Sequence, residues 1–367
     1  MKIPWEQVRA FRAERHQLHR RGTDALQVAS QLCGLHAQVL SSAELSLWAR
    51  VEGVTREQFR ALLWKDSALV KTWAMRGTLH LLPRSELPLY LGALANYGHF
   101  LKDPWLNSIG ITREEVDVVL AAVGRALRGE SLTREELAAA VSRDTGTKKY
   151  GAALLQSWGM LLKPAAYRGL LCFAESQPPR VRFTSPGRVK PLPREPALRE
   201  LARRYLRAYG PATRGDFASW WGCSARRAQE IFESLDTVRL EDRWLLREDL
   251  PELQRARPSG AVRLLPAFDP YVAGAPRTGG LFPLQHKKRI YRNQGWLTPA
   301  LLVDGHIDGV WRHQRTSKGL TVTVEPFVRL SKAVRAALAL EAESLARFLE
   351  APLLRVDLST AHREAAK

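Results

Sequence analysis

The chain has 367 residues, with 56 Lys and Arg against 37 Asp and Glu and a formal net charge of +19. A hydrophobic content of 45%, with 11 Trp, 11 Phe and 8 Tyr, excludes a disordered or low-complexity chain, because such segments lack the apolar surface that offsets chain entropy, and the positive balance points to a polyanionic partner. No apolar run reaches the roughly 20 residues of a membrane span and the start lacks a signal peptide's apolar core, so a soluble, cytoplasmic protein is expected.

From the N-terminus, apolar spacing predicts helices near 5–15, 24–33 and 42–50, another over 55–64, and strands within 69–82. A second set begins at Thr112, with helices near 113–127, 133–142 and 149–158. The middle one starts with LTREEL, a threonine followed by acids, which is a capping signature. Strands over 166–173 and 180–184 follow, with Pro178 and Pro179 as the turn. The third set is the clearest: a helix over 198–209, a break at GPA, Thr213 capping a helix to Trp221, and Ser224 capping one to Leu235. Strands over 237–240 and 244–247 then flank Glu-Asp-Arg. Helix, helix, helix, hairpin is the order of a winged helix, and its recurrence is an internal repeat. From Val262 the pattern turns to strands over 263–266, 300–304, 310–314 and 320–324, then a helix over 332–349 and a last strand over 352–358. The expected fold is therefore α+β. Three tandem winged-helix domains (1–105, 106–192 and 193–258) precede a C-terminal β-rich, barrel-like module with a helical tail (259–367).

The charge is uneven. Arg180 to Arg214 carries net +8 and Arg277 to Lys318 net +6, and two separated basic runs suit a polyanion track better than a single solvated linker. Cys33, Cys172 and Cys223 form no Cys-x-x-Cys pair, so neither a disulfide framework nor a zinc knuckle is expected and the three read as core thiols. The histidines show no His-Glu-x-x-His pattern, and no metal or cofactor is expected.

Four strings carry a resemblance: GLHAQ (34–38), LVKTWAMRGTLH (69–80), LLPAFDPY (264–271) and VDGHIDGVWR (303–312). They resemble a bacterial winged-helix family that contains DNA glycosylases, among them the azinomycin-resistance glycosylase and enzymes that unhook interstrand crosslinks. The strings touch both ends of the chain, so the likeness covers essentially its full length. It implies a cofactor-free repair enzyme excising alkylated purines from double-stranded DNA, acting as a monomer near the nucleoid. Catalysis in that family rests on a Gln-x-Gln or Gln-x-Asp motif in the first domain, and the matching positions here are His36, Ala37 and Gln38. The resemblance thus implies Gln38 as the catalytic amide and puts His36 in the other slot, where imidazole can hold a water, take its proton or contact a phosphate.

An N7- or N3-alkylated purine is cationic and leaves as a neutral base, so the enzyme needs little more than a positioned water and dipoles facing an oxocarbenium-like sugar. In an extended or turn segment residues 36 and 38 share a side, whereas in a helix they diverge by about 200°. Period-two alternation over RGTLH (76–80) would put Arg76, Thr78 and His80 on one strand face as phosphate donors, with Lys71 extending the track. Asp304-Gly305 has hairpin-turn chemistry. By resemblance to a hairpin that enters the minor groove, His306 beside it is expected to protrude as the probe. Lys287, Lys288, Arg289, Arg292, Arg312 and Arg315 would neutralise phosphates. Asp304 and Asp308 read as turn formers rather than a glycosidase pair, and Asp269 as a structural aspartate. No lysine lies in the motif, so no Schiff-base lyase step is expected. An open cleft that works without full base flipping is implied by family analogy alone. The rival reading is a non-catalytic winged-helix DNA-binding protein or a transcriptional regulator, the latter normally a dimer, and a third is an RNA-binding or scaffold protein.

Overall fold

Several helices begin at threonines that cap them in both directions. In the computed structural model, which describes residues 3–95, 102–156, 159–176, 180–274, 276 and 280–359, Thr112, Thr133 and Thr213 accept from the N–H of Glu115, Glu136 and Asp216. The three acidic side chains bond back to the threonine N–H groups, satisfying donors the first turn leaves open. The chain groups into two units, residues 1–60 with 202–367, and residues 61–201. Among the described residues no helix is long and apolar enough to cross a membrane.

The unit 61–201 contains the antiparallel hairpin Leu69–Trp73 and Leu79–Pro83. It also contains the helices Arg113–Ala126, Arg134–Thr145, Lys148–Gln156 and Leu162–Tyr167. A small sheet places Arg182–Thr184 between Ser131–Thr133 and Cys172–Phe173. The strand expected over 166–173 is corrected: its first residues finish the helix Leu162–Tyr167 and only Cys172–Phe173 is extended. Pro164 in the first helical turn and two following alanines favour helix there. The turn assigned to Pro178 and Pro179, and the last two residues of the helix expected over 149–158, lie outside the described residues.

In the other unit, the end of Arg194–Tyr209 is followed by Arg214–Trp221, Ala225–Glu233 and the hairpin Thr237–Leu240 with Arg243–Leu246, as the sequence predicts. Ala212 bridges Trp244 at the hairpin edge. A five-stranded sheet runs in the order Leu353–Leu358, Gly319–Pro326, His306–Thr316, Ala300–Val303, Val262–Leu265, antiparallel except for its first pair. It is an open sheet and not the barrel-like closure expected, because its edge strands Val262–Leu265 and Leu353–Leu358 do not pair with each other. The helix Lys332–Phe348 covers it instead, packing Leu338, Ala342 and Leu345 into one core with Leu264, Val322 and Val324. Leu45, Trp48 and Ala49 join the same core, so the first sixty residues and the last hundred fold together.

Cys33 and Cys172 are buried as expected, and burial pushes the Cys172 thiol up to about 12. Cys223 departs from the expectation, being only half-buried. His16 is buried edge-on between Tyr209 and Tyr271, with ring centroids 5.0 Å away in each case. Its burial, followed by the cations of Arg50 and Arg12, holds its pKa well below the usual histidine range. An unfolded histidine titrates near 6.5, so below that pH the unfolded chain takes up a proton that the native state refuses. This one group should therefore cost about 1.4 kcal/mol of stability per pH unit on acidification. Denaturant titrations between pH 5 and 6, below the unfolded pKa, are expected to show the slope reduced by about that amount in His16→Leu.

Candidate active site

The helix Ala25–Gln31 ends in a left-handed turn at Cys33 (φ 58°) and Gly34 (φ 92°), where the Gly34 N–H donates to the Ala29 carbonyl at 2.8 Å. The Tyr209 hydroxyl donates to the Leu32 carbonyl at 3.0 Å and anchors that turn. Leu35–His36 then runs extended, and the next helix, Leu40–Trp48, starts after Val39. Residues 36–38 are thus not helical, so the motif's two polar side chains are spared the divergence that a helix would impose. They differ in depth. His36 is 9% exposed, whereas Gln38 is open to solvent.

The imidazole of His36 lies flat on Phe268, with centroids 4.9 Å apart and planes 10° from parallel. Phe268 has φ 58°, a left-handed conformation that a bulky residue seldom adopts and that persists only where its surroundings over-determine it. The next residue supplies the hold. Asp269 and Arg50 are both 0% exposed and form a bidentate ion pair, with Nη1–Oδ2 and Nη2–Oδ1 both at 2.7 Å. Asp269 also accepts from the Tyr271 N–H at 2.9 Å, capping the short helix Pro270–Ala273. The structural role expected for Asp269 is what the geometry shows. Phe268 also meets Trp296 in an edge-to-face arrangement, with centroids 4.8 Å apart and planes at 74°. Sequence reasoning missed Arg50, Phe268 and Trp296, although the string LLPAFDPY had marked the segment in which Phe268 lies.

A sequence profile described as DNA glycosylase AlkZ-like matches residues 29–348. The interstrand DNA cross-link repair glycosylase of Streptomyces sahachiroi is 36% identical over 331 residues, covering 85% of this chain and 88% of that protein. The solved structure of the Streptomyces sahachiroi DNA glycosylase AlkZ aligns with a TM-score of 0.86 at 34% identity, over 98% of this chain and 100% of that one. The chain belongs to the AlkZ-like DNA glycosylase family. It is accordingly a DNA repair enzyme, a hydrolase of N-glycosyl bonds whose substrate is DNA.

In this AlkZ-like glycosylase, the strand face expected over 76–80 does not exist. Arg76 (φ 56°) and Gly77 (φ 70°) form the turn of the hairpin, closed by Thr78 N–H to the Met75 carbonyl at 3.1 Å. Arg-Gly here does the work usually given to Asn-Gly or Asp-Gly, two successive positive φ values that match strand twist. The three residues therefore do not line one exposed face: Arg76 and Thr78 are half-exposed at the turn, while His80 is buried opposite Thr72 with its Nδ1 3.1 Å from the Thr78 carbonyl. Lys71 is half-buried with its ammonium 5.1 Å from the Phe173 ring, and burial lowers its pKa.

The turn at Asp304 (φ 48°) and Gly305 (φ 77°) forms as expected, but it does not protrude. The Asp304 carboxylate accepts from the N–H groups of Ser259, Gly260 and Ala261 at 2.9, 2.5 and 3.2 Å. The Gly305 carbonyl accepts from the Tyr271 hydroxyl at 2.7 Å, and a Cβ at Gly305 would lie 2.6 Å from the Arg9 carbonyl oxygen. His306 is half-buried, with Nδ1 2.5 Å from Asp308, so the expectation of a free probe there is corrected. The exposed stretch is the next hairpin tip, residues 312–318, between His306–Thr316 and Gly319–Pro326. Lys287, Lys288 and Arg292 are exposed. Arg289 and Arg312 share one carboxylate, Glu325, at 2.8 and 2.6 Å, which spends part of the charge assigned to phosphates.

Proposed function

We propose that this glycosylase hydrolyses the N-glycosidic bond of cationic N7- or N3-alkylated purines in duplex DNA, crosslinked purines included, as a monofunctional and metal-independent monomer near the nucleoid. The observation that carries the reading is the pairing of an exposed Gln38 amide with a deep, ring-stacked His36 on one non-helical segment. A positively charged purine takes the C1′–N9 bonding pair and leaves neutral. Water oxygen bonds to C1′, and its proton passes to His36 or to solvent. The Gln38 carbonyl dipole faces the positive charge that develops on the sugar. Three winged helices bounded near residues 105, 192 and 258 belong to the same reading, supported by the element order from Arg194–Tyr209 to Arg243–Leu246. The name of the Streptomyces relative supports crosslinks as substrates.

Lys287, Lys288, Arg292, Arg315 and Lys318 are exposed and suited to phosphates, with the tip 312–318 as the groove-contacting hairpin. Arg76 and Thr78 remain candidates on the other unit, His80 and Lys71 weaker ones for their burial. Duplexes carrying one N7-methylguanine, one bulky N7 adduct or one crosslink are expected to yield alkali-labile abasic sites with the wild type. Duplex affinity is expected to drop roughly a thousandfold between 50 and 200 mM salt, the loss that about six phosphate contacts produce. Salt-sensitive binding without release from any of the three substrates would overturn this function in favour of a binding protein.

A further inference from the structure

Trp296 is the one tryptophan, tyrosine or phenylalanine in the exposed range among the described residues, at 48%. Its loop holds it there. Tyr291 and Leu297 bridge antiparallel, the Arg292 N–H donates to the Trp296 carbonyl at 2.8 Å, and Asn293–Gly295 turns with Gln294 at φ 57°. Residues 292–296 are all exposed, so a guanidinium and an indole stand on one short, closed loop. The indole packs in an edge-to-face contact with Phe268, which in turn carries the His36 ring. An exposed tryptophan alone means little. An exposed tryptophan beside an arginine, two ring contacts from the motif histidine, has the composition of a platform for unstacked nucleotides, in which a cation takes the phosphate and an aromatic face takes the base.

We infer that Trp296 stacks on a planar π-system at the lesion, either a nucleobase unstacked beside it or an aryl group carried by the adduct, while Arg292 takes the adjoining phosphate. The inference rests on His36 and Gln38 lying at the reacting base. It makes Trp296 a specificity-determining residue, and Phe268 a positioning residue that links it to His36. The side chain is exposed on a loop, so its replacement leaves the fold intact.

The test is single-turnover base release from duplexes containing N7-methylguanine or N7-benzylguanine, for wild type, Trp296→Ala and Trp296→Phe. Trp296→Ala is expected to be slower by roughly tenfold, the size of one lost base–aromatic stack, and Trp296→Phe to recover most of the rate. A loss on both substrates identifies the nucleobase as the stacked group, and a loss on the benzyl adduct alone identifies the aryl group. A 2-aminopurine placed beside the lesion gives a readout that needs no turnover: it is expected to be brighter in the Trp296→Ala complex than in the wild-type complex. Unchanged rates and unchanged fluorescence in Trp296→Ala would overturn the inference. So would equal impairment of the alanine and phenylalanine variants with wild-type quenching, which would show mere support of Phe268. Gln38→Ala, run alongside, separates the two readings. Full activity there sinks the motif assignment, whereas an inactive Gln38→Ala beside an unimpaired Trp296→Ala sinks only the stacking.

Discussion

Alanine at Gln38 is expected to slow base release by about two to three orders of magnitude while leaving duplex affinity and melting temperature close to wild type. The first part follows from electrostatic preorganisation, since removing a single dipole aimed at the charge of a transition state typically costs about 100- to 1000-fold in turnover. The second follows from exposure: Gln38 is at the surface, where truncation away from packed groups changes stability by roughly 0.5 kcal/mol or less. Gln38→Asn keeps the amide but withdraws it by one methylene, and the resulting misplacement is expected to give an intermediate rate. Single-turnover kinetics with N7-methylguanine duplexes, beside filter binding and thermal melts, check all three. A wild-type rate in Gln38→Ala would remove the amide from the mechanism. His36→Ala is expected to retain DNA binding as well, but it also strips Phe268 of its stacking partner, so the glutamine variant is the cleaner probe.

Breaking the ion pair of Arg50 and Asp269 is expected to cost about 3–5 kcal/mol of stability, because either single truncation strands the other charge in the core. Both side chains are fully buried and meet through two parallel hydrogen bonds of 2.7 Å. Asp269→Ala also removes the cap of Pro270–Ala273, the carboxylate that accepts from the Tyr271 N–H. It therefore releases the chain beside Phe268, whose left-handed conformation has no local reason to persist. Denaturant midpoints of Arg50→Ala, Asp269→Ala and the double variant form a cycle in which the double is expected to cost less than the two singles added. Singles within 1 kcal/mol of wild type would show that the pair contributes little.

Helix starts were legible because they depend on neighbours in the chain: Thr112, Thr133, Thr213 and Ser224 all cap as their sequence context implies. The non-helical state of the motif was legible for the same reason, with Gly34 stopping one helix shortly before the next begins. What could not be read depends on distant contacts. Arg50 sits 219 residues from Asp269, and no local pattern couples them. The pinning of Asp304 by the backbone of residues 259–261 turned an expected free tip into a half-buried one. Period-two alternation failed at Arg76 because it assumes a continuous strand, and one arginine with positive φ before a glycine is enough to end it. The sheet stayed open because the helix Lys332–Phe348 occupies one of its faces, a competition between covering and closing that strand periodicity does not encode.

The unit that holds the motif is built from residues 1–60 and 202–367, with the whole of 61–201 emerging from the ribosome in between. His36 is synthesised more than two hundred residues before Phe268, the ring it stacks on, and Arg50 waits nearly as long for its carboxylate. At translation speeds of about 5–20 residues per second that interval is on the order of ten seconds or more, ample for the intervening unit to settle first. During it the nascent chain carries the glutamine and the histidine of the motif but not the groups that hold them in place. Competence for chemistry on DNA is thereby tied to the synthesis of the segment that carries Phe268 and Asp269.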